Sequence, residues 1–411
     1  MPGPGFDLIG EEEIAEVLDV MRGGWLYRYG SDDNPNFKAK VWAFEKAVAQ
    51  HCGVRYAVAV NSGSTALWVA LIGLGIGPGD EVIVPGFTFI ASISAIIYAR
   101  AVPVLAEIDG TFNLDPADVE RKITPRTKAI MPVHLMGNPA RMDELKAIAD
   151  RHGLMLLEDC AQAFGASYKG RPVGSIGHIG AFSFNYAKII TAGEGGLIIT
   201  DDENLYKRCF ALHDQGHAPL RKGREIGLRP FVSLDFRMTE LQGAVLLAQF
   251  RKLDYIRERL QTHKNLFKSL ISDLPGLKFR ELTDPAGEAA TVLTIIFPDT
   301  EIARRVAKDL GGKLLSESGW HVYRNMEPLL EKRVPVERGY PFNCPAPDDP
   351  EVNYYPDMLP QTDDLLARSF NIGIGMTDKA LATYGVTIHH TPAEVEAKAA
   401  EFRRVAERYL G

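Results

Sequence analysis

The chain has 411 residues, of which 46% are hydrophobic and 24% are charged, and its formal net charge at pH 7 is -7. This composition is typical of a globular protein with one large domain and a smaller one, and the negative charge argues against nucleic acid or an anionic membrane as the main partner. No basic and apolar leader precedes Phe6, and no apolar run reaches about 18 residues, so the sequence predicts neither a signal peptide nor a membrane span. The scattered cysteines, without paired or metal-like spacing, favour a reducing compartment and a cytoplasmic enzyme.

Two amphipathic helices are predicted in the first part of the chain, over Glu11–Arg22 and Phe37–Cys52. Between them lies a glycine-bounded loop, GGWLYRYG, whose aromatic residues include Trp25 and Tyr29. This loop is either a rim of a substrate site or a packing element, and the residues alone leave both interpretations open.

Seven short apolar runs follow, most of them separated by helical patterns. The runs do not alternate between apolar and polar residues, which indicates strands that are buried on both faces. We therefore predict a mostly parallel seven-stranded α/β sheet covered by helices. The predicted strands are Tyr56–Val60, Glu81–Pro85, Val102–Ile108, Ala129–Val133, Leu154–Glu158, Gly180–Phe184 and Gly196–Thr200.

Beyond Leu205 the pattern changes to longer helices. Apolar residues recur at helical spacing over Thr239–Leu274, which predicts one long helix that leads from a large domain at 1–250 into a smaller α+β domain at 251–411. The smaller domain is predicted to contain a strand-rich piece at Thr291–Phe297, a proline-rich bend at Tyr340–Pro360 and a final helix at Pro392–Tyr409.

Lys188 occupies an unusual place for a lysine, where a sheet edge opens into the tight loop that contains GEGG. The aromatic and branched residues around it disfavour the ammonium form, as a Schiff-base lysine requires. The alternative is a lysine that extends its charge to solvent from a strand end. This stretch alone does not decide between the two.

Two further motifs follow predicted strands. In NSGSTAL, the backbone after Gly63 and the hydroxyls of Ser64 and Thr65 are placed to hold a phosphate at the start of a helix, although such a turn also serves as a simple helix cap. Asp159 ends an apolar strand, where a carboxylate needs a cationic partner such as a protonated pyridine nitrogen. Its alternative role is again a helix cap.

Phe89 in PGFTF offers a flat ring at the end of the second strand, and Ser183 offers a hydroxyl close to Lys188. Each has an ordinary explanation, Phe89 as core and Ser183 as a plain strand residue. A phosphate-binding turn, a stacking ring, a carboxylate and a lysine at the strand ends of one sheet nevertheless form, together, the set that a pyridoxal 5'-phosphate (PLP) site requires.

Six motifs in this order make the sequence recognisable as similar to the DegT/StrS family of PLP-dependent sugar aminotransferases, which have the type I aminotransferase fold. They are NSGSTAL, PGFTF, VHLMGNPARMDEL, LEDCAQAFGA, FSFNYAKIITAGEGG and DFRMTELQGA. The resemblance implies that Lys188 carries PLP as an imine, that Asp159 pairs with the pyridine nitrogen, that Phe89 stacks on the ring and that Gln162 lies over its hydroxyl side. It also implies a phosphate site formed by Gly63, Ser64, Thr65 and Ser183.

Two positions depart from the family pattern. Asp235 stands where the family commonly has an asparagine that reaches the phosphate of the neighbouring subunit, and Met136 stands where many relatives have a tyrosine. Two anions at contact distance repel, so we expect a cation such as Arg237 to neutralise Asp235. The resemblance also implies a homodimer.

The family resemblance implies transfer of an amino group from glutamate or glutamine to a keto- or aldehydo-sugar, without a metal. Two alternatives are a PLP-dependent lyase or dehydratase, as in relatives resembling 3-amino-5-hydroxybenzoate synthase, and a non-catalytic PLP-binding regulator. PGFDLIG, LYRYG and GWH most resemble transaminases of 8-oxo octulosonates, while cyclitol ketones remain open as substrates. We expect the acceptor pocket to include Trp25, Tyr29, His321 and Tyr323, unless these residues pack a domain interface.

Overall fold

The computed structural model describes residues 3–220, 223–224, 229–336, 339–342, 352–376 and 380–411. The predicted proline-rich bend at Tyr340–Pro360 therefore lies partly outside the described residues.

Two main sheets organise the chain, and two short two-stranded ladders accompany them. The strands are β1 (Tyr56–Val60), β2 (Glu81–Pro85), β3 (Val102–Ala106), β4 (Thr127–Ile130), β5 (Met155–Asp159), β6 (Ser167–Tyr168), β7 (Arg171–Pro172), β8 (Ile179–Ser183), β9 (Gly196–Thr200), β10 (Pro219–Leu220), β11 (Gly223–Arg224), β12 (Lys278–Phe279), β13 (Val292–Ile296), β14 (Ser369–Ile374) and β15 (Tyr384–Val386).

The helices pack against both main sheets. They are α1 (Pro4–Asp7), α2 (Glu11–Gly23), α3 (Lys40–Cys52), α4 (Gly63–Gly73), α5 (Ile90–Tyr98), α6 (Pro116–Lys122), α7 (Met142–His152), α8 (Glu203–His213), α9 (Glu240–Arg251), α10 (Leu253–Ser269), α11 (Thr300–Asp309), α12 (Glu327–Leu330), α13 (Pro360–Ala367) and α14 (Pro392–Leu410). Within the described residues, no helix combines the length and apolarity that crossing a bilayer takes.

The large sheet has the strand order β1-β9-β8-β5-β4-β2-β3, which confirms the prediction of seven strands. Strands β3, β2, β4, β5 and β8 run parallel, whereas β9 is antiparallel to both of its neighbours. Parallel strands connected by helices end at the same edge of the sheet, so this topology gathers the segments that follow β2, β5 and β8.

Two predicted strands are shorter than their apolar runs. β3 ends at Ala106 and β4 at Ile130, and the residues beyond them make only isolated bridges, Ile108 with Leu114 and Val133 with Asp159. The apolar residues beyond both strand ends are still buried, so apolarity alone overestimated the length of the ladders.

The single long helix predicted over Thr239–Leu274 is wrong. The chain bends at Lys252 between α9 and α10, and the amine of Lys252 bonds to the carbonyl of Leu8 and to Glu13, both at 2.8 Å. The bend follows from contacts with the N-terminal segment, because neither glycine nor proline interrupts the helical pattern there.

The small sheet has the order β12-β13-β14-β15, with α10, α11 and α14 packed beside it. Only β14 and β15 are parallel. The α+β character predicted for the C-terminal part is therefore confirmed. Residues Trp320–Val322, between β13 and β14 in the sequence, pair with residues 87–90 after the end of β2. This part of the C-terminal region therefore reaches the edge of the large sheet at which β2 ends.

Candidate active site

Neighbouring strand ends bring Asp159, Lys188 and the first turn of α4 to one edge of the large sheet. Asp159 is the last residue of β5 and lies opposite Ala181 of the adjacent β8. The chain leaves β8 after Ser183 and reaches Lys188 in a tight loop. The start of α4 lies close to the end of β8, because a Cβ added to Gly63 would stand 2.5 Å from the Cβ of Ser183.

The carboxylate of Asp159 is buried, with 3% of the residue exposed. Its Oδ2 accepts a hydrogen bond from the hydroxyl of Ser92 at 2.8 Å, and its Oδ1 accepts one from the N–H of Ala161 at 3.0 Å. Burial raises the pKa of Asp159, while these two donors and the charge of Lys188 oppose the rise. The group is therefore a desolvated carboxyl that a nearby positive charge would hold ionised.

Behind Asp159, His134, Glu158 and Cys160 form the only three-residue group in the described part of the chain whose atoms are close enough for a metal ion. The side chains of this cluster already bond to each other and to the neighbouring backbone. His134 Nε2 bonds to Glu158 at 2.9 Å, and His134 Nδ1 accepts from the N–H of Ala140 at 3.0 Å. Three backbone N–H groups also donate to Glu158, those of Gly174, Ile176 and Gly177. The cluster is a structural network that fixes the end of β5.

Lys188 is half-buried and lines a cleft together with Gln162, Thr291 and His321. Its loop is held internally by the hydrogen bond from the N–H of Lys188 to the carbonyl of Asn185 at 2.9 Å. The N-terminal segment supports the loop from outside, because a Cβ on Gly3 would lie 2.4 Å from the carbonyl oxygen of Lys188. The amine therefore belongs to a loop that is packed on both sides.

The turn Asn61–Thr65 is closed by its own side chains. Ser62 caps α4 by accepting from the N–H of Thr65 at 3.1 Å, and the hydroxyl of Thr65 donates to Asn61 at 2.8 Å. Only glycine fits at position 63, because a Cβ there would collide with Ser183. Unused N–H groups at a helix N-terminus beside two hydroxyl side chains suit a phosphate.

Gln162 lines the cleft, and Phe89 contacts His321, another residue of the cleft wall. The ring of Phe89 is 42% exposed, which does not fit a core position, and its centroid lies 5.2 Å from that of His321. The Oε1 atom of Gln162 accepts from the N–H of Met136 at 2.9 Å. This contact fixes the amide of Gln162 at the cleft and uses the backbone, not the side chain, of Met136.

Of the four aromatic or histidine residues predicted for the acceptor pocket, the structure brings only His321 to the cleft that Lys188 lines. Tyr323 is fully buried, and its hydroxyl donates to Asp363 at 2.9 Å and accepts from the N–H of Leu359 at 3.1 Å. Tyr29 is buried with its hydroxyl 3.4 Å from His213, and Trp25 donates to the carbonyl of Tyr29 at 2.8 Å. These contacts favour packing for Tyr29 and Tyr323.

The carboxylate of Asp235 is paired with a positively charged side chain. Arg237 forms ion pairs with Asp235 and with the buried Asp214. The segment lies beside the turn Asn61–Thr65, because the N–H of Asn61 donates to the carbonyl of Phe236 at 2.9 Å. The arginine that the sequence suggested as the neutralising cation thus contacts the carboxylate directly.

Sequence reasoning missed two residues of this site. Ser92 contacts Asp159 across 67 positions of sequence, and the only signal was its place in the helix that follows PGFTF. Thr291 lines the cleft, and its buried hydroxyl has no hydrogen-bond partner among the described residues. It was predicted only as the first residue of a strand.

The residues of this edge fit PLP. Asp159 makes no ion pair within the described residues, and a protonated pyridine nitrogen would supply the missing cation. The first turn of α4 and Ser183 would hold the phosphate, Lys188 lines the cleft with Gln162, and its charge acts on Asp159.

Comparisons with known proteins agree with this geometry. The model of the DegT/DnrJ/EryC1/StrS aminotransferase family matches residues 7–319. GDP-perosamine synthase from Caulobacter vibrioides is 50% identical over 239 residues, which are 58% of this chain and 61% of that protein. A putative L-glutamine:3-amino-2,3-dideoxy-scyllo-inosose aminotransferase from Streptoalloteichus tenebrarius is 32% identical over 95% of this chain and 90% of its own length.

Among solved structures, an aminotransferase from Psychrobacter cryohalolentis is similar over 100% of both chains, with a TM-score of 0.80 and 28% sequence identity. This similarity confirms the type I fold of PLP-dependent transferases. Since the family model covers most of the chain and the motifs of the cleft lie within the matched residues, the protein belongs to the DegT/DnrJ/EryC1/StrS aminotransferase family.

Proposed function

We propose that this protein is a PLP-dependent aminotransferase that moves an amino group from glutamate or glutamine to a carbonyl carbon of a sugar or cyclitol. The observation that carries the proposal is the buried carboxylate of Asp159, which has no cationic side chain within ion-pair distance among the described residues and ends β5 at the sheet edge to which Lys188 belongs. PLP, when bound, supplies a ring that accepts the electron pair left when a proton departs from the substrate carbon.

Asp159 would keep the pyridine nitrogen protonated. Its carboxylate is held in place by Ser92 and by the N–H of Ala161, so it needs little reorganisation to face a positive charge. A charge-assisted contact in a site shielded from water accounts for a rate factor of about a hundred.

Lys188 would carry the cofactor and, once its amine is released, move the proton at the Cα atom of the amino donor. A general base must lie within reach of that atom, and the packed loop around Lys188 restricts where its amine can go. Phe89 would cover one face of the ring. Gln162, held by Met136, would contact its hydroxyl side.

The phosphate would lie against Gly63, Ser64, Thr65 and Ser183, at the N-terminus of the 11-residue helix α4. We propose that Asp235 faces this region only as part of its ion pair with Arg237. The carboxylate of Asp235 adds a negative charge beside the phosphate, and the guanidinium of Arg237 compensates it.

The choice of substrates rests on relatives. The inosose aminotransferase that aligns over most of this chain has L-glutamine in its name, which favours glutamine as the donor, with glutamate as the alternative. The acceptors that we propose are keto-sugars, aldehydo-sugars such as 8-oxo octulosonates, and cyclitol ketones. Polar groups at the cleft that suit a hydroxylated ligand are the hydroxyl of Thr291 and the ring of His321.

We further propose a homodimer. An apolar strip on the outside of α1 and α2 is 43% to 52% exposed at each position, more than scattered surface residues explain. It continues to Tyr186 in the loop of Lys188, so a second subunit would cover it beside the cleft. The strip contains Phe6, Ile9, Ile14, Leu18 and Met21. The division into domains at residue 250 and the cytoplasmic location remain predictions.

A half-reaction screen tests the proposal. The PLP-loaded protein is mixed with glutamine or glutamate, and the visible absorption of the cofactor should fall while a keto acid appears. Addition of sugar aldehydes, sugar ketones or cyclitol ketones should restore the absorption for the correct acceptor class. Product formation from an acceptor without any amino donor would indicate a lyase or dehydratase, and PLP binding without reaction of any donor would indicate a regulator.

A further inference from the structure

Strand β1 forms a lateral edge of the large sheet and leads directly into the turn Asn61–Thr65. Its strand partner is β9, and Val60 also makes an isolated antiparallel bridge with Arg237. On the other side, the backbone of Ala59 bonds to two charged side chains, since its N–H donates to Glu45 Oε1 at 2.6 Å and its carbonyl accepts from Arg28 Nη1 at 2.9 Å. Both polar groups of this edge residue are thus satisfied by side chains.

Arg28 and Glu45 are themselves a buried ion pair, 2.8 Å apart and only 5% and 7% exposed. Burial raises the pKa of Glu45, although Arg28 opposes this effect. A buried ion pair of this kind often adds little to stability compared with apolar residues of similar size. Its contacts with Ala59 suggest a different role, which is to fix the position of β1.

A second set of contacts holds the next residues of the same edge. Arg28 Nη1 also donates to His213 Nε2 at 3.0 Å, and the carbonyl of His213 accepts from the N–H of Phe236 at 2.9 Å. Phe236 in turn accepts from the N–H of Asn61. The outer edge is therefore supported continuously from Ala59 to the first residue of the turn.

On its inner side the turn has no room to move. A Cβ on Gly196 of β9 would lie 2.2 Å from the carbonyl oxygen of Ser62, and a Cβ on Gly63 would collide with Ser183. In a close-packed arrangement a displaced β1 would change the position of the turn relative to Ser183. Asp159 is the last residue of β5 and Lys188 follows β8, so a displacement of β1 would affect them less.

We propose that Arg28 and Glu45 are positioning residues for the phosphate of the bound cofactor and act through the backbone of Ala59. This inference rests on the proposed function, because it requires that the turn Asn61–Thr65 binds a phosphate. Loosening the pair weakens the hold on the phosphate but leaves the attachment at Lys188 and the contact with Asp159 in place.

The test compares PLP with pyridoxal, which lacks the phosphate, as ligands of the cofactor-free full-length protein. The ratio of their dissociation constants reports the contribution of the phosphate. In Arg28→Met and Glu45→Met the preference for PLP should fall about tenfold, as expected when a backbone hydrogen bond is lost. Pyridoxal affinity should stay nearly unchanged. Glu45→Gln, whose amide oxygen can still accept from Ala59, should retain more of the preference.

Glu81→Gln is the matched control, because Glu81 is also buried and ion-paired, with Arg126, but lies at the opposite end of the large sheet. It should lower the melting temperature without changing the ratio. If Arg28→Met fails to fold, Arg28→Lys keeps the charge but loses the planar fork, and a smaller fall in the ratio is expected.

Equal losses for PLP and pyridoxal, or an unchanged ratio in folded variants, would show that the pair is merely structural and would overturn the inference. Binding of neither ligand by the wild-type protein would overturn the inference together with the proposed function, and the two failures are therefore distinguishable.

Discussion

The hydroxyl of Ser92 donates a 2.8 Å hydrogen bond to Oδ2 of Asp159, and Thr88 lies 2.7 Å from the same hydroxyl. This contact joins the helix after β2 to the end of β5 and offsets part of the rise that burial causes in the pKa of Asp159. Ser92 therefore helps to keep Asp159 ionised and able to bind a positively charged group.

Ser92→Ala should therefore reduce kcat/KM about tenfold, because the carboxylate loses a hydrogen bond that favours its ionised form. The acidic limb of the pH profile should move to higher pH, since the pKa of Asp159 rises further. Ser92→Thr keeps the hydroxyl and serves as the control. Wild-type kcat/KM in Ser92→Ala across the whole pH profile would exclude this role.

Lys188→Ala should abolish covalent trapping of PLP by borohydride and the absorption band of the imine between PLP and the protein. The protein should still fold, because Lys188 is a half-buried loop residue outside the core. Circular dichroism checks the fold, and peptide mapping checks the labelled site. Full labelling of another lysine in this variant would contradict the assignment.

His321→Ala should weaken the reaction with the sugar acceptor and spare the reaction with the amino donor. His321 lines the cleft together with Lys188, and its ring contacts Phe89. The two half-reactions are measured separately by rapid mixing. Equal losses in both would favour a packing role, which the bond to Ser318 at 3.0 Å already provides.

Arg237→Ala should weaken PLP binding, because Asp235 and Asp214 would then place uncompensated negative charge beside the turn Asn61–Thr65. Asp235→Asn should leave PLP affinity equal or better, since it removes an anion. Titration with PLP, at an oligomeric state verified to be unchanged, measures both effects. A marked loss of affinity in Asp235→Asn would indicate instead that the carboxylate is itself a ligand.

Acid should destabilise the protein through His213. This residue is fully buried, and burial together with the charge of Arg28 holds its pKa well below the usual 6.5. The unfolded chain then binds a proton below pH 6.5 that the folded chain does not, so stability falls by about 1.4 kcal/mol per pH unit as pH decreases.

His213→Gln keeps an acceptor for Arg28 but cannot ionise, so its stability should decrease less steeply with acid. Urea unfolding between pH 5 and 7 measures both slopes. The pKa values of His51, His178 and His263 are also lowered, so only the difference between wild type and variant reports His213. Identical slopes would mean that His213 is protonated in the folded protein.

The amino-acid sequence by itself determined the seven strands of the large sheet, their mostly parallel direction and the family. The reason is that strands buried on both faces are continuous apolar runs, and that the turn after Val60, the carboxylate of Asp159 and the loop of Lys188 are local motifs. Each such feature depends on residues that are close in sequence.

Only the tertiary structure decided the features that depend on distant partners. At the bend, Lys252 contacts the N-terminal segment, about 240 positions earlier in the sequence, and no glycine or proline at that point predicts a bend. Tyr29 and Tyr323 have the same amphipathic character as a ligand-binding aromatic, and only the partners of their hydroxyls assign them to packing. The support of Asp159 by Ser92 and of Ala59 by Arg28 likewise joins groups that no periodicity relates, because hydrogen bonds across a fold depend on where the chain brings them.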